Sequence, residues 1–295
     1  MSSPLRLEEL IESLPLEDTV ESKFLLASLR PSEIAHALER SRQPTRRVIW
    51  QLLEEEERNQ ALQHISDEVR AEFLEAMDTA QLVAAADDLD TDDFADILQQ
   101  LPQTISDQVL ASLDTSDRAR VEAVLSFRED SAGGLMDTDT ITVRPRHTLE
   151  LVLRYLRLRK ELPAGTDALI VVNSEDQYLG MLPLAKVLTS DPSVTVREIM
   201  DSDTPALHVD QPDTEIARMF SDRDLISAAV VDDQGQLRGR ITIDDVVDVI
   251  IEDAEEAVLG PAGLDVDEDT FAPVHRTVRR RATWLGINLL TAFAA

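Results

Sequence analysis

Between Leu29 and Leu125, apolar residues return every twelve positions. The steps fall on Leu29, Ser41, Leu53, Ile65, Met77, Leu89, Leu101, Leu113 and Leu125, apolar at all but Ser41. A second register, eight residues into each unit, falls on Ala37, Ile49, Ala61, Phe73, Ala85, Ile97, Val109 and Val121. Several units open with cap-type residues, as in Leu89-Asp90-Thr91-Asp92-Asp93, Leu113-Asp114-Thr115-Ser116-Asp117 and Met77-Asp78-Thr79. These stand where the first free N–H groups of a helix need oxygen acceptors. The pattern predicts one short helix and a turn per unit. Two units make a hairpin of about 24 residues, and stacked hairpins share a core that no single one could close, so residues 1–128 are expected to form an all-α superhelix. No nucleophile and base recur at a fixed offset in it, and no enzyme is expected.

From Ser131 the texture changes to Gly and β-branched residues, and the apolar runs ending at Val172 and Val231 predict buried strands. The region is duplicated. Met136-Asp137-Thr138-Asp139-Thr140 matches Met200-Asp201-Ser202-Asp203-Thr204 at a shift of 64, and Ile170 to Leu188 matches Ala229 to Val247 at a shift of 59, with Gly180 on Gly239. Each copy predicts strand, helix, strand, Asp/Gly hairpin, strand, helix. This order resembles the CBS domain, an α/β unit that occurs in tandem, with copies at 131–195 and 196–256.

Charge adds a third feature. The chain has 58 Asp and Glu against 28 Lys and Arg, a formal net charge of −30, which makes nucleic acid an unlikely partner because phosphate binding needs a basic face. A cation is the natural counter-partner, although most surface carboxylates bind nothing. With no Cys, neither a disulfide framework nor a thiolate metal site is available, and the five His are scattered, which argues against zinc. From Ile241 to Val274 there are eleven acidic residues and no Lys or Arg. Then come Arg276, Arg279, Arg280 and Arg281, followed by an uncharged run from Ala282 to Ala295 with Trp284 near its start. Basic residues collect on the cytoplasmic side of membrane spans, so 282–295 is expected to open a membrane helix, with residues 1–281 cytoplasmic. A C-terminal helix packed on a soluble core is the alternative.

Carboxylates at helical spacing carry the candidate chemistry. Asp245, Asp248, Glu252 and Glu256 follow i, i+3, i+7, i+11, and Asp88, Asp92 and Asp96 follow i, i+4, i+8 in the superhelix. Like charges at that spacing weaken a helix, and hard oxygen ligands select Mg²⁺ or Ca²⁺. For either row alone, a solvated acidic face explains it as well. Within the second CBS-like copy, Gly239, Thr242 and Asp245 fit the nucleotide pattern of such domains: Thr242 could bond a phosphate at the next helix's N-terminus and Asp245 could accept both ribose hydroxyls. Thr242 as a plain helix cap is the alternative. The first copy has Pro183 and Lys186 in those places and is expected to have lost the site.

Together the helical array, the CBS-like pair, the acidic last helix and the Arg-rich entry into an apolar run resemble the MgtE family of magnesium transporters, over residues 20–295. The resemblance implies a homodimer, dimeric through the CBS units, that binds Mg²⁺ between the helical array and the CBS pair. A connecting plug helix at 262–281 then closes the pore when Mg²⁺ is ample. Carried over residue by residue, it implies Mg²⁺ ligands at Asp92, Asp96, Asp245, Asp248, Asp253 and Glu256, with ATP at Thr242 and Asp245 of the second copy. The family's pore helices would lie past Ala295, so these residues by themselves are expected not to conduct. A CBS-based adenine-nucleotide sensor regulating a membrane protein is the alternative function, and a structural scaffold is another.

Overall fold

The computed structural model of the chain describes residues 19–159 and 162–259. The expected connecting helix and membrane-entry segment lie outside the described residues. Contacts divide the described residues into two compact bodies: 19–89, Ile97–Ser112 and 252–259 form one, Asp90–Asp96 and Leu113–Ile251 the other.

The nine helices described ahead of the first strand are α1 (Thr19–Leu26), α2 (Pro31–Glu39), α3 (Gln43–Leu52), α4 (Glu55–Leu62), α5 (Asp67–Leu74), α6 (Thr79–Asp88), α7 (Thr91–Gln100), α8 (Gln103–Ser112) and α9 (Thr115–Leu125). From α2 onward each begins twelve residues after the last. The register from Ala37 to Val121 is buried at every step. In the register from Leu29, Ser41, Leu53 and Ile65 are buried and the other steps are only partly covered. Alternate helices pack together, α2 on α4, α4 on α6 and α6 on α8, which is how successive hairpins share one core.

Polar residues inside the array serve the helix ends. Four C=O groups at each helix C-terminus lack intrahelical partners. Arg46, 1% exposed, donates from Nε to Leu38 O (3.0 Å) and from Nη2 to Ser41 O (3.2 Å), while Nη1 pairs with Glu72 (3.0 Å). Twenty-four residues on, Arg70 Nη1 donates to Leu62 O (3.4 Å), and Ser106 Oγ does the same for Leu98 O (2.7 Å). The donor sits eight residues after the acceptor each time, once per hairpin for the two arginines. Ser41, the polar exception in the apolar register, is accommodated because its hydroxyl bonds Ala37 O (2.7 Å).

In the other body, β1 (Thr142–Val143), α10 (Leu149–Leu158), β2 (Ala168–Val172), β3 (Tyr178–Pro183) and α11 (Leu184–Thr189) form the first copy. After the single-turn α12 (Val196–Ile199), the second copy has β4 (Leu207–His208), α13 (Asp213–Arg223), β5 (Ser227–Val231), β6 (Leu237–Thr242) and α14 (Ile243–Leu259). Each copy is a three-stranded sheet in which the first strand runs parallel to the second and the second antiparallel to the third. Val143 opposite Val171 and Leu207 opposite Val230 reproduce the shifts of 64 and 59. Both faces of β2 are covered: Leu169 and Val171 pack with Leu149, Val152 and Leu182, while Ile170 and Val172 pack with Met181 and Ala229 of the second copy. That is why the strand is an unbroken apolar run.

The two copies are related by an approximate two-fold axis. Asp137 bridges Arg240 as Asp201 bridges Met181, Ser131 bridges Pro212 as Thr195 bridges Thr148, and Gln177 meets Gln236 at the centre. One element departs from the repeat. α11 ends at Thr189, ahead of Asp191-Pro192, whereas α14 runs on for 17 residues. Proline disfavours helical backbone at the residue before it and lacks the N–H to continue a helix. Among the described residues, no helix is long and apolar enough to cross a membrane.

Candidate functional site

The site is built from two helix N-termini and one loop. The α7 start carries Asp92 and Asp93 in its first turn, with Asp90 just ahead of it, and the α14 start carries Asp244 and Asp245. Free N–H groups and the helix dipole favour carboxylates at both places. Asp245 folds back so that its Oδ2 accepts from Thr242 N (3.0 Å) and from Thr242 Oγ1 (2.9 Å), and the same hydroxyl lies against the Asp244 carboxylate. The loop before β1 supplies Asp137. Its Oδ1 accepts from Asp139 N (2.8 Å) and from Thr91 Oγ1 (3.2 Å), and Thr91 Oγ1 also bonds Thr138 Oγ1 (3.1 Å). Asp137 Oδ2 stands 3.6 Å from Arg240 Nη2.

Most of these carboxylates are at least partly sheltered, and they lie in one another's field. Asp92 is 7% exposed and Asp137 4%; Asp92 Oδ1 and Asp137 Oδ2 accept no hydrogen bond. Burial, reinforced by Asp137, pushes the Asp90 carboxyl up to about 6. Burial likewise pushes Asp245 to about 7, with the Thr242 N–H opposing and the charge of Asp244 adding to the rise. Asp92 and Asp93 are raised well above the ordinary carboxylate range, first by burial and next by Asp245, and Asp137 is raised by burial. Protons on these groups relieve the repulsion, and a bound cation would do the same.

Of the residues singled out from sequence, Asp92 and Asp245 are brought into one field. Asp96 and Asp248 take part through their effect on Asp93. Asp253 is exposed further along α14, and the Glu256 side chain lies outside the described residues. The row Asp88, Asp92, Asp96 is corrected: Asp88 ends α6, the extended backbone of Leu89 breaks the helix, and Asn59 Nδ2 bonds the Asp88 carboxylate (2.8 Å). Sequence reasoning missed Asp90, Asp93 and Asp137. The first two were visible only as cap residues, and Asp137 lay in the repeated Met136 to Thr140 segment that served only for alignment. Among the described residues, no three His, Asp or Glu side chains converge closely enough to enclose a metal ion. In the first copy, Pro183 and exposed Lys186, whose Nζ donates to Ile199 O (3.1 Å), replace Thr242 and Asp245.

Comparison with known proteins gives the family. The model of the MgtE intracellular N domain matches residues 29–130, and the CBS domain model matches residues 196–252. The magnesium transporter MgtE of Thermus thermophilus is 31% identical over 286 residues, covering 95% of this chain and 63% of that protein, so the chain spans less than two thirds of its relative. A crystal structure of the cytosolic domain of the Mg²⁺ channel MgtE in complex with ATP is 31% identical with a TM-score of 0.73, covering 82% of this chain and 99% of that one. The crystal structure of the soluble part of a magnesium transporter, 20% identical with a TM-score of 0.71, covers 84% and 98% and shares the fold. A helical array of twelve-residue units, followed by a CBS pair and matched along nearly its whole length by such relatives, places the chain in the MgtE family.

Proposed function

We propose that this chain is the cytosolic Mg²⁺-sensing and gating part of an MgtE-type magnesium transporter, in which Mg²⁺ bound among acidic side chains of the helical array and the CBS pair stabilises a compact closed state. The observation that carries this reading is Asp92, buried in the field of Asp245 with one oxygen unbonded. The donor chemistry fits the ion, with hard oxygens and no thiolate. Asp90, Asp92, Asp93, Asp137 and Asp245 would hold it, joined by Asp96, Asp248, Asp253 and Glu256. Mg²⁺ supplies two positive charges where the carboxylates repel. The chain's own part is to fix those carboxylates on helix ends so that repulsion and its relief select between two arrangements. It catalyses no reaction.

The chain is proposed to work as a homodimer joined through its CBS units. Support comes from exposed apolar side chains at helical spacing: Leu151, Tyr155 and Leu158 on α10, and Ile243, Val247, Ile250 and Ile251 on α14. The apolar segment from Ala282 is proposed as the attachment to the membrane part.

A Mg²⁺ titration followed by small-angle scattering tests the reading. The radius of gyration is expected to fall steeply in the millimolar range, as water-rich sites of low affinity acting together require, with the scattering mass that of a dimer. An equal fall with NaCl at matched ionic strength would leave only screened surface charge.

ATP is proposed to bind at the second CBS copy through Thr242 and Asp245, the first copy having Pro183 and Lys186 there. In calorimetric titrations Asp245→Ala is expected to abolish ATP binding and Lys186→Ala to leave it intact. Equal binding by both variants would remove Asp245 from the nucleotide site.

A further inference from the structure

Arg240 sets a guanidinium against the carboxylate cluster from inside the fold. It is 5% exposed. Nη2 donates to Ala164 O and Nη1 to Thr166 Oγ1 (3.4 Å), while Nε has no hydrogen-bond partner. The nearest carboxylate oxygen, Asp137 Oδ2, is 3.6 Å from Nη2, outside hydrogen-bonding distance. The fork–fork pairing that normally compensates a buried guanidinium is therefore missing. The charge instead acts on two acidic groups at once: Asp137 beside it and Asp90, whose carboxyl feels both Arg240 and Asp244.

The internal two-fold supplies a control. Met181 occupies the equivalent place in the first copy, 4% exposed. Its backbone N and O pair with Asp201 at 2.8 and 2.7 Å, as those of Arg240 pair with Asp137 at 2.9 Å each. Strand pairing at this position therefore accepts an uncharged side chain. The cation stands in the copy whose third strand leads into Asp244 and Asp245, while the other copy leads into Ala185 and Lys186.

We propose that Arg240 is a resident counter-ion: a positioning residue whose fixed charge holds the Asp90–Asp96 segment and Asp137 beside the start of α14 when divalent cations are scarce, and so lowers the Mg²⁺ needed to complete the assembly. The first part stands on the 3.6 Å approach of Arg240 to Asp137 and on the Thr91 Oγ1 to Asp137 Oδ1 hydrogen bond (3.2 Å) that ties the Asp90–Asp96 segment to the same carboxylate; the second rests on the Mg²⁺-sensing reading above.

The test uses the full 295-residue chain with Arg240→Met, Arg240→Gln and Arg240→Lys. Hydrogen exchange in divalent-free buffer is expected to be faster at Thr91–Asp96 in the Met and Gln variants, near wild type in Lys, and equal in all four at saturating Mg²⁺. The Mg²⁺ midpoint for protection is expected to rise about five-fold or more in Met and Gln, the low end of ordinary coupling between sites. Gln is shorter but keeps a neutral hydrogen-bonding amide, so it serves should Met fail to fold. Unchanged exchange in both neutral variants without divalents overturns the proposal, as does a midpoint that falls, which would make Arg240 a competitor of the ion. A wild-type chain with no Mg²⁺ response at all would sink the sensor reading, yet the divalent-free comparison would still decide the role of Arg240.

Discussion

Changing Asp92, Asp93 and Asp245 together to Asn should raise the melting temperature at pH 8 without divalent cations, and should abolish most of the wild-type response to both acid and Mg²⁺. The sign follows from which state holds its protons more tightly. Asp90 and Asp245 titrate near 6 and 7 in the folded chain, against an ordinary value of 3.8. Between those limits the folded state binds more protons than the unfolded one, so stability is greatest at the acid end of the window and is lost as pH rises through 6 and 7. Each tenfold gain in proton affinity on folding corresponds to about 1.4 kcal/mol, so Asp245, raised from 3.8 to about 7, costs about 4 kcal/mol as an upper bound, or roughly 10 °C for a body of this size, while Asp90 is kept and titrates in both proteins.

On the proposed Mg²⁺-sensing role, the ion must displace those protons. Its stabilising effect should therefore be larger at pH 8 than at pH 5.5. Histidines titrate in the same window: His36 is raised by its bond to Glu39 and adds to the trend, while His147 is lowered by burial and opposes it. The triple variant keeps both, and keeps Asp90 and Asp137 as well, so subtracting its pH profile isolates the three replaced carboxylates. Melting curves that shift equally in wild type and triple variant between pH 5.5 and 8 would show that the carboxylates do not govern stability.

Gly180→Ala is expected to disrupt the CBS pair. A Cβ at Gly180, whose φ is 147°, would fall 2.2 Å from Asp201 O, a backbone atom fixed by the Met181–Asp201 hydrogen bonds on either side. Neither partner can retreat without breaking the bridge between copies, and L side chains rarely adopt this backbone. The cost should be on the order of 4 kcal/mol or more, in the range reserved for overpacking and backbone strain. Gly235 is the control, with φ 73° and nothing within 4 Å of its Cβ position. Gly235→Asn should cost about 1 kcal/mol or less, since Asn tolerates left-handed backbone and Asp176 adopts φ 59° at the equivalent turn. Urea unfolding of the two variants reads the difference directly. Similar midpoints would mean that the close approach at Gly180 is not what joins the copies.

The local pattern of the chain was enough to set the helix repeat and the strand register. A twelve-residue apolar period with Asp78 and Asp114 at its turns leaves little choice but short capped helices, and the shifts of 64 and 59 carry over directly into strand register, because a strand buried on both faces tolerates no slip. The pairing of Thr242 with Asp245 is local for the same reason: the two interact across only three residues, as a cap at the start of α14. Only the tertiary structure decided which carboxylates meet. Asp88 and Asp92 look like one row until Leu89 breaks the helix between them, and Asp137 and Arg240, 103 positions apart, become neighbours only through the two-fold of the CBS pair. Spacing along a chain reports who shares a helix face. Burial and mutual field, which make a carboxylate want a cation, depend on what the rest of the fold brings alongside it.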